Sequence, residues 1–357
     1  MDKILENCAE QIRAASSAGK TLRIQGGGSH QFMLKPPQQA ERLDCRAYQG
    51  IINYQPSELV VSVRAGTLLT ELQAMLAKHK QYLPFEPPAY SPAATVGGMI
   101  AAGLSGSAVP FNGRLRDYIL GCGFINGHAD YLKMGGEVMK NVAGYDVSRL
   151  MGGSWGRFGL ITEVSLKLNP VVHQQTFQWP MDAEEFSLLG RQLLSEGYPI
   201  GAIAYYQHEV YLRLDCTLKA MQEFTTHLQK RFGKIQETDP AFWEQLNNHQ
   251  LNWFDDKRPL WRISLPLDNN FLQAVNQSDD LIMDWAGAQF WWKTNVAAAQ
   301  VQQMATASGG YAVLYKSLAD EQIDPLPPLA PELAALQQQL RQQFDPHNIF
   351  NPGIFYG

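Results

Sequence analysis

Apolar and polar positions follow two rhythms along this chain. In the opening MDKILENCAEQIRAASSAGK, Ile4, Leu5, Cys8 and Ile12 recur at helical spacing among charges, which predicts an amphipathic helix and not an export signal. The runs TLRIQ, GIINY, ELVVSVR, YILGCGFI and GLITEVSLKL come next, each too short and too β-branched for a helix, so strands are expected. Between them, TLLTELQAMLAKH sets Leu68, Leu69, Leu72, Met75 and Leu76 on one helical face, with Thr67 as the expected N-cap.

From about residue 171 glycine thins and tryptophan becomes common. QQTFQWP reads as a strand, DAEEFSLLGRQLLSEG as a helix, AIAYYQHEVYLRLD as a hairpin and TLKAMQEFTTHLQKRFG as a second helix. A related order follows in RPLWRISLPL, NNFLQAVNQ, IMDWAGAQFWW, VAAAQVQQMATASGG and YAVLYKS, which suggests a degenerate duplication forming an antiparallel sheet backed by helices. DEQIDPLPPLAPE then looks like a proline-stiffened linker before the helix PELAALQQQLRQQF and the tail DPHNIFNPGIF. At 357 residues and 45% apolar the chain can bury two cores. The expected class is α+β, with one domain over residues 1–170, a cap domain over 171–330, and a helix and tail over 331–357 returning to the first.

Charge narrows the ligand. The net charge of −5 is spread without a basic stripe, which argues against nucleic acid and against a polybasic membrane patch. No apolar run reaches the ~18 residues of a membrane span, so a cytoplasmic location is expected. Cys8, Cys45, Cys122 and Cys216 are scattered and form no C-x-x-C pair, so buried thiols are expected and no metal or iron-sulfur site is encoded.

Glycine supplies the positive signal. Gly26, Gly27 and Gly28 before Ser29, the stretch SPAATVGGMIAAGLSGS, and the seven glycines of residues 135 to 163 each adjoin a predicted strand. One such cluster suits a tight turn. Three in one domain favour backbone N–H groups left bare to cradle phosphate. No G-x-G-x-x-G occurs, and Gly19-Lys20-Thr21 fails as a P-loop because Ala14 stands where its first glycine belongs and a strand follows, so NAD and ATP lose ground.

The ordered blocks RIQGGGS, VRAGTLLTEL, PPAYSPAATVGGMIAAGLSGS, GRLRDYILG, GGEVMKNVAGYDVSRLMGGSWGRFGLITEV and FDPHNIFNPG resemble the FAD domain of the vanillyl-alcohol oxidase (PCMH-type) flavoproteins. Within that family the chain looks most like the FAD-binding E-type subunits of bacterial glycolate oxidase (glycolate dehydrogenase). The resemblance implies FAD along two loops, Gly26, Gly27, Gly28 and Ser29 in the first, Thr95, Gly97, Gly98, Gly103, Ser105 and Gly106 in the second. It implies Gly159, Ile161 and Thr162 beside the adenine and Asn351 at the flavin end. Lys140 and Asn141 are either near the isoalloxazine, where a cation steadies the reduced ring, or surface side chains. Some relatives tether FAD through a first-loop histidine; here Ser29 and not His30 falls at that position, which implies non-covalent FAD with His30 a loop residue or polar contact.

The resemblance also implies partners: a D-type subunit with its own FAD, an iron-sulfur F-type subunit, and a small 2-hydroxy acid as the substrate of the complex, with electrons passed to a quinone-type acceptor. The H-x-G-D-G-N-x-H type motif of relatives that oxidise hydroxy acids is missing, since His173, His208, His227 and His249 are isolated. The expected role is therefore an FAD-bearing subunit inactive alone, cytoplasmic or peripheral at the inner membrane through its complex. A structural subunit and a stand-alone FAD-dependent oxidoreductase are the alternatives. Lys140 and Arg262 are the weak catalytic candidates. The alternation in RPLWRISLPL turns Trp261, Ile263 and Leu265 to one face and Arg262 to the other, where it either clamps a carboxylate or makes a structural ion pair. Trp285, Trp291 and Trp292 suit a core, or a surface that a partner covers.

Overall fold

The N-terminal helix spans Lys3–Ala18 and buries Leu5, Cys8, Ala9, Ile12 and Ala15, the face that the helical spacing marks. Asp2 caps it by accepting from the Ile4 amide, and Gly19 ends it in the left-handed region at φ 62°. This computed structural model describes residues 2–33, 39–136, 147–275, 280–317 and 326–353. The chain divides into two compact units, one of residues 1–105, 114–171 and 328–357, the other of 106–113 and 172–327.

In the first unit β1 (Leu22–Gln25) pairs in parallel with β2 (Glu41–Asp44). The strands β3 (Ile51–Gln55), β4 (Val60–Arg64), β6 (Ile119–Ile125), β7 (Tyr131–Gly135) and β8 (Leu160–Lys167), numbered around a short β5 (Gln81–Tyr82), form an antiparallel sheet ordered β3-β4-β8-β6-β7. β9 (Asn169–Pro170) pairs with β5. Val61, Val63, Cys122, Phe124 and Val164 of the large sheet share a core with Leu69, Leu72 and Leu76 of the helix Leu69–Lys78 and with Val96, Met99 and Ile100 of the helix Val96–Ala102. Thr67 is not the N-cap expected of it. The cap position falls on Leu68, and the buried Thr67 hydroxyl instead accepts from the Gly50 amide at 2.8 Å. After the helix Pro331–Phe344 the tail runs beside β1, with the Leu22 amide donating to Ile349 and the Asn351 amide donating to Leu22.

The second unit holds one sheet, with β10 (His173–Pro180), β11 (Ile200–Tyr206), β12 (Glu209–Cys216), β13 (Gln236–Glu237), β14 (Leu260–Ser264), β15 (Leu281–Asp284), β16 (Gln289–Lys293) and β17 (Tyr311–Lys316). Its order is β13-β10-β12-β11-β15-β16-β14-β17, antiparallel throughout its described pairs. β10, β11 and β12 stand in the order first, third, second, and β15, β16 and β14 repeat it as second, third, first, so the two repeats meet at β11 and β15. That symmetry is what a duplicated β-α-β-β-α order would build. Trp261, Ile263 and Leu265 enter the core with Phe186 and Leu189 of the helix Ala183–Ser195 and Val301 and Ala305 of the helix Ala298–Ala307. The helix Ala241–Asn247 and the turn Asn252–Asp255 escape the periodicity because each is too short to repeat it.

Candidate cofactor-binding site

One cleft of the first unit collects most of the bare backbone. Gly26, Gly27, Gly28, Ser29 and His30 follow β1 into it, and Thr95, Gly97 and Gly98 enter from the start of the helix Val96–Ala102. Gly159, Ile161 and Asn351 line it as well. Its empty space, open mouth included, is about 880 Å³.

The glycines are required by close approach. A Cβ on Gly27 would fall on the Ala93 carbonyl oxygen, and one on Gly26 would meet the Thr95 hydroxyl. Gly97 packs against Ala65, where a Cβ would come within 2.8 Å of the Ala65 methyl carbon, whereas Gly98 has 3.3 Å to the nearest atom. Gly97 and Gly98 spend their amides internally, on the Ala65 carbonyl at 2.8 Å and the Thr95 hydroxyl at 3.2 Å. No acceptor among the described residues takes the amides of Gly27, Gly28 or Ser29. The first loop is thus the part of the cleft with amide donors to offer.

His30 adds a buried side-chain nitrogen. It is 8% exposed, packed edge-on to Tyr90 and Trp155, and its Nδ1 lies 3.0 Å from the Ser29 hydroxyl. Burial pulls its pKa down to about 4, so the ring is neutral at ordinary pH. The other ring nitrogen, Nε2, is buried and has no partner among the described residues. A buried ring nitrogen without a partner, beside bare amides in a glycine-lined cleft, suits an oxygen-rich ligand such as the pyrophosphate and ribityl chain of FAD. Asn351 closes the cleft from the tail: its Oδ1 accepts from the Ile24 amide at 2.8 Å and its Nδ2 donates to the Trp155 carbonyl at 2.7 Å.

The remaining expected residues stand elsewhere. Gly103 ends its helix in the left-handed region at φ 66° against Gly153, the Ser105 hydroxyl accepts from the Leu115 amide, and the Gly106 carbonyl accepts from the Trp285 indole. None of these three lines the cleft, and Thr162 is buried beside it without lining it. Gly106 belongs to the second unit with Asn247, whose side chain fills the space a Cβ would need. Lys140 and Asn141 lie outside the described residues. Arg262 is on β14 of the second unit, half-buried, on the face opposite Trp261 and Ile263. Trp285, Trp291 and Trp292 are at most 9% exposed, which agrees with the core alternative and not with a partner-covered surface: Trp292 is in the core and Trp285 donates to the Gly106 carbonyl. Cys8, Cys45 and Cys122 are buried and Cys216 half-buried, all four unpaired, and no metal-ligating cluster occurs among the described residues. No helix there is long and apolar enough to cross a membrane.

The signal for His30 was present in the sequence only as a histidine next to a glycine loop. Burial beside two aromatic rings is what leaves its Nε2 without a partner.

Comparison with known proteins agrees with this chemistry. A family described as FAD binding domain matches residues 5–145. The glycolate oxidase subunit GlcE of Escherichia coli (strain K12) is 37% identical across 97% of this chain and 96% of its own length. The glycolate oxidase subunit GlcD of Bacillus subtilis (strain 168) is 33% identical over 34% of this chain and 25% of its own. A solved alkyldihydroxyacetonephosphate synthase shares the fold, with a TM-score of 0.67 and 16% identity over 97% of this chain and 75% of the other. With a PCMH-type FAD-binding unit and near full-length similarity to GlcE, the chain belongs to the GlcE family of glycolate oxidase subunits and FAD is its cofactor.

Proposed function

We propose that this chain is the FAD-binding subunit of a complex that oxidises glycolate to glyoxylate and passes the electrons to a quinone-type acceptor. The observation that carries the reading is the similarity to GlcE over nearly the whole of both chains. The cleft supports it, because its polar groups are suited to holding a cofactor and supply no strong base. In this reading the amides of Gly27, Gly28 and Ser29 meet pyrophosphate, His30 Nε2 meets a further polar atom of the cofactor, and Asn351 fixes the loop walls by its two hydrogen bonds. Bound FAD supplies a two-electron acceptor that can release its electrons one at a time. His30, with its pKa near 4, is too weak a base to deprotonate a hydroxyl group.

The partners in this reading are a D-type subunit that also holds FAD and an F-type subunit that carries iron-sulfur clusters. The scattered cysteines of this chain offer no cluster of their own. The complex works in the cytoplasm, peripheral to the inner membrane, and FAD is held without a covalent bond.

The test is reconstitution. Glycolate-dependent dye reduction should be absent with the FAD-loaded chain alone, appear when D-type and F-type partners are added, and disappear when this chain is omitted. Robust turnover by the isolated chain would make it a stand-alone oxidoreductase instead. Full activity of the partners without it would leave it no redox role.

A further inference from the structure

Trp155 holds a backbone conformation that its side chain disfavours. Its φ is 53°, in the left-handed region where a bulky residue is strained, and Gly156 follows it at φ 73°. Both peptide groups of this corner are tied. The Trp155 amide donates to the Ala101 carbonyl at 2.9 Å, and the Trp155 carbonyl accepts from Asn351 Nδ2 at 2.7 Å. Two residues earlier the Gly153 amide donates to the Ile100 carbonyl at 3.0 Å. The turn is thus laid on the C-terminal end of the helix Val96–Ala102, where carbonyls are left over.

None of these bonds uses the indole. Glycine would serve the same backbone path without strain, and glycine stands on either side of it at Gly153 and Gly156, both with positive φ. A bulky residue kept at such a position points to a role for its side chain. The indole is half-buried and lines the glycine-rich cleft. Among the described residues that line that cleft, only Trp155 and His30 are aromatic. Their rings are perpendicular, at 86° with centres 6.2 Å apart, and Tyr90 meets His30 at 5.4 Å. The helix end and the tail therefore fix the Trp155 backbone, and a buried imidazole fixes its ring from one side. The polar part of the cleft is the first loop, with the amides of Gly27, Gly28 and Ser29. FAD also carries two planar ring systems, and these favour an aromatic wall over amide donors.

We propose that Trp155 is a ring-binding wall of the cofactor site, its indole packing against one of the two planar ring systems of FAD. The hydrogen bonds from Asn351 and to Ala101 hold the strained backbone that presents it. Asn351 thus acts on the cofactor through Trp155, while its own side chain is spent on the Ile24 and Trp155 backbone. The alternative is that Trp155 only shields His30 from water. A shield stabilises the chain with or without ligand, whereas a ring wall matters when the cofactor is present. FAD is the cofactor whichever substrate the complex takes, so the test uses no glycolate and its failure leaves the proposed function standing.

The full chain is stripped of FAD and titrated with it, as wild type, Trp155→Phe and Trp155→Leu. Both replacements are unbranched at Cβ, so they carry the same kind of backbone strain and differ in the ring. Trp155→Phe should bind FAD within about threefold of wild type and Trp155→Leu about tenfold more weakly. Without ligand the two variants should melt together. Trp155→Leu binding FAD as tightly as wild type would overturn the proposal. So would a ligand-free Trp155→Leu that melts clearly below Trp155→Phe, because the weaker binding would then follow from a damaged fold. Trp155→Gly removes the strain together with the ring, so it should fold and bind FAD no better than Trp155→Leu; affinity restored by glycine would show that the backbone and not the ring shapes the site. Flavin absorption and emission identify the ring that the indole meets. A shifted flavin band and brighter bound emission in Trp155→Leu place the isoalloxazine there, and weaker binding with an unchanged flavin spectrum places the adenine there.

Discussion

Asn351 donates its side-chain amide to the Trp155 carbonyl at 2.7 Å, and through this bond the C-terminal tail closes one wall of the glycine-lined cleft. The same side chain accepts from the Ile24 amide at 2.8 Å, on the strand that leads into the first glycine loop. Three distant stretches of chain are therefore held by one amide that is 4% exposed.

Asn351→Ala removes the acceptor of the Ile24 amide and the donor to the Trp155 carbonyl. Each such loss costs about 1–3 kcal/mol. A net loss of about 2 kcal/mol corresponds to a melting temperature lower by roughly 4–8 °C for a unit of this size. Thermal denaturation followed by circular dichroism, with FAD content measured alongside, checks it. An unchanged melting temperature with full FAD would show that the tail is not a structural part of the cleft.

The two glycine loops should respond unequally to an added methyl group. Gly27→Ala puts a Cβ on the Ala93 carbonyl oxygen, so the loop must move and FAD should be lost from a soluble protein. Gly98→Ala meets only the Thr95 hydroxyl at 3.3 Å and should keep most of its FAD. Flavin absorbance per folded chain measures both. Equal retention in the two variants would argue that the first loop does not approach the cofactor.

Much of this frame is legible in the sequence, and the reasons for the rest are specific. The β-branched runs form β4, β6 and β8 because each is bounded by glycine or turn residues and buried on both sides by its neighbours. Thr67 looks like an N-cap by position, but folding brings it to Gly50, and a hydroxyl with a tertiary partner is not available to the helix. Gly27 and Gly98 look equivalent in a string of letters; only the path of the backbone at Ala93 separates them. β7 alternates exposed and half-buried positions, so its strand character comes from pairing with β6 and not from an apolar run. The clasp made by Asn351 has no periodicity at all, because it joins segments at opposite ends of the chain.

FAD should dissociate on denaturation. Ser29 occupies the tether position implied by the family resemblance, and its hydroxyl is engaged with His30 Nδ1. Acid precipitation should leave the yellow colour in the supernatant. Flavin retained in the pellet, and released from it in His30→Ala, would instead identify His30 as a covalent attachment point.

Acidification should destabilise the first unit through His30. Its pKa in the folded chain is about 4, lowered by burial, whereas an unfolded histidine titrates near ~6.5. Between these values the unfolded chain binds a proton that the folded chain refuses, so its neutral burial carries no proton-linked penalty above about pH 6.5 and stability falls as the pH drops towards 4. From pH 7 to pH 5 the loss is about 2 kcal/mol. His249, lowered to about 3 by burial and by the neighbouring cations, acts in the same direction in the second unit. The two can be separated by substitution. His30→Gln should flatten the pH dependence of FAD release while leaving the acid sensitivity of the second unit, and His249→Gln should do the reverse. Native-state hydrogen exchange, read separately on the helix Val96–Ala102 and on β14, follows each unit across the range. If His30→Gln and wild type lose protection and FAD in parallel between pH 6.5 and 4.5, the proton that destabilises the first unit is taken up by another group.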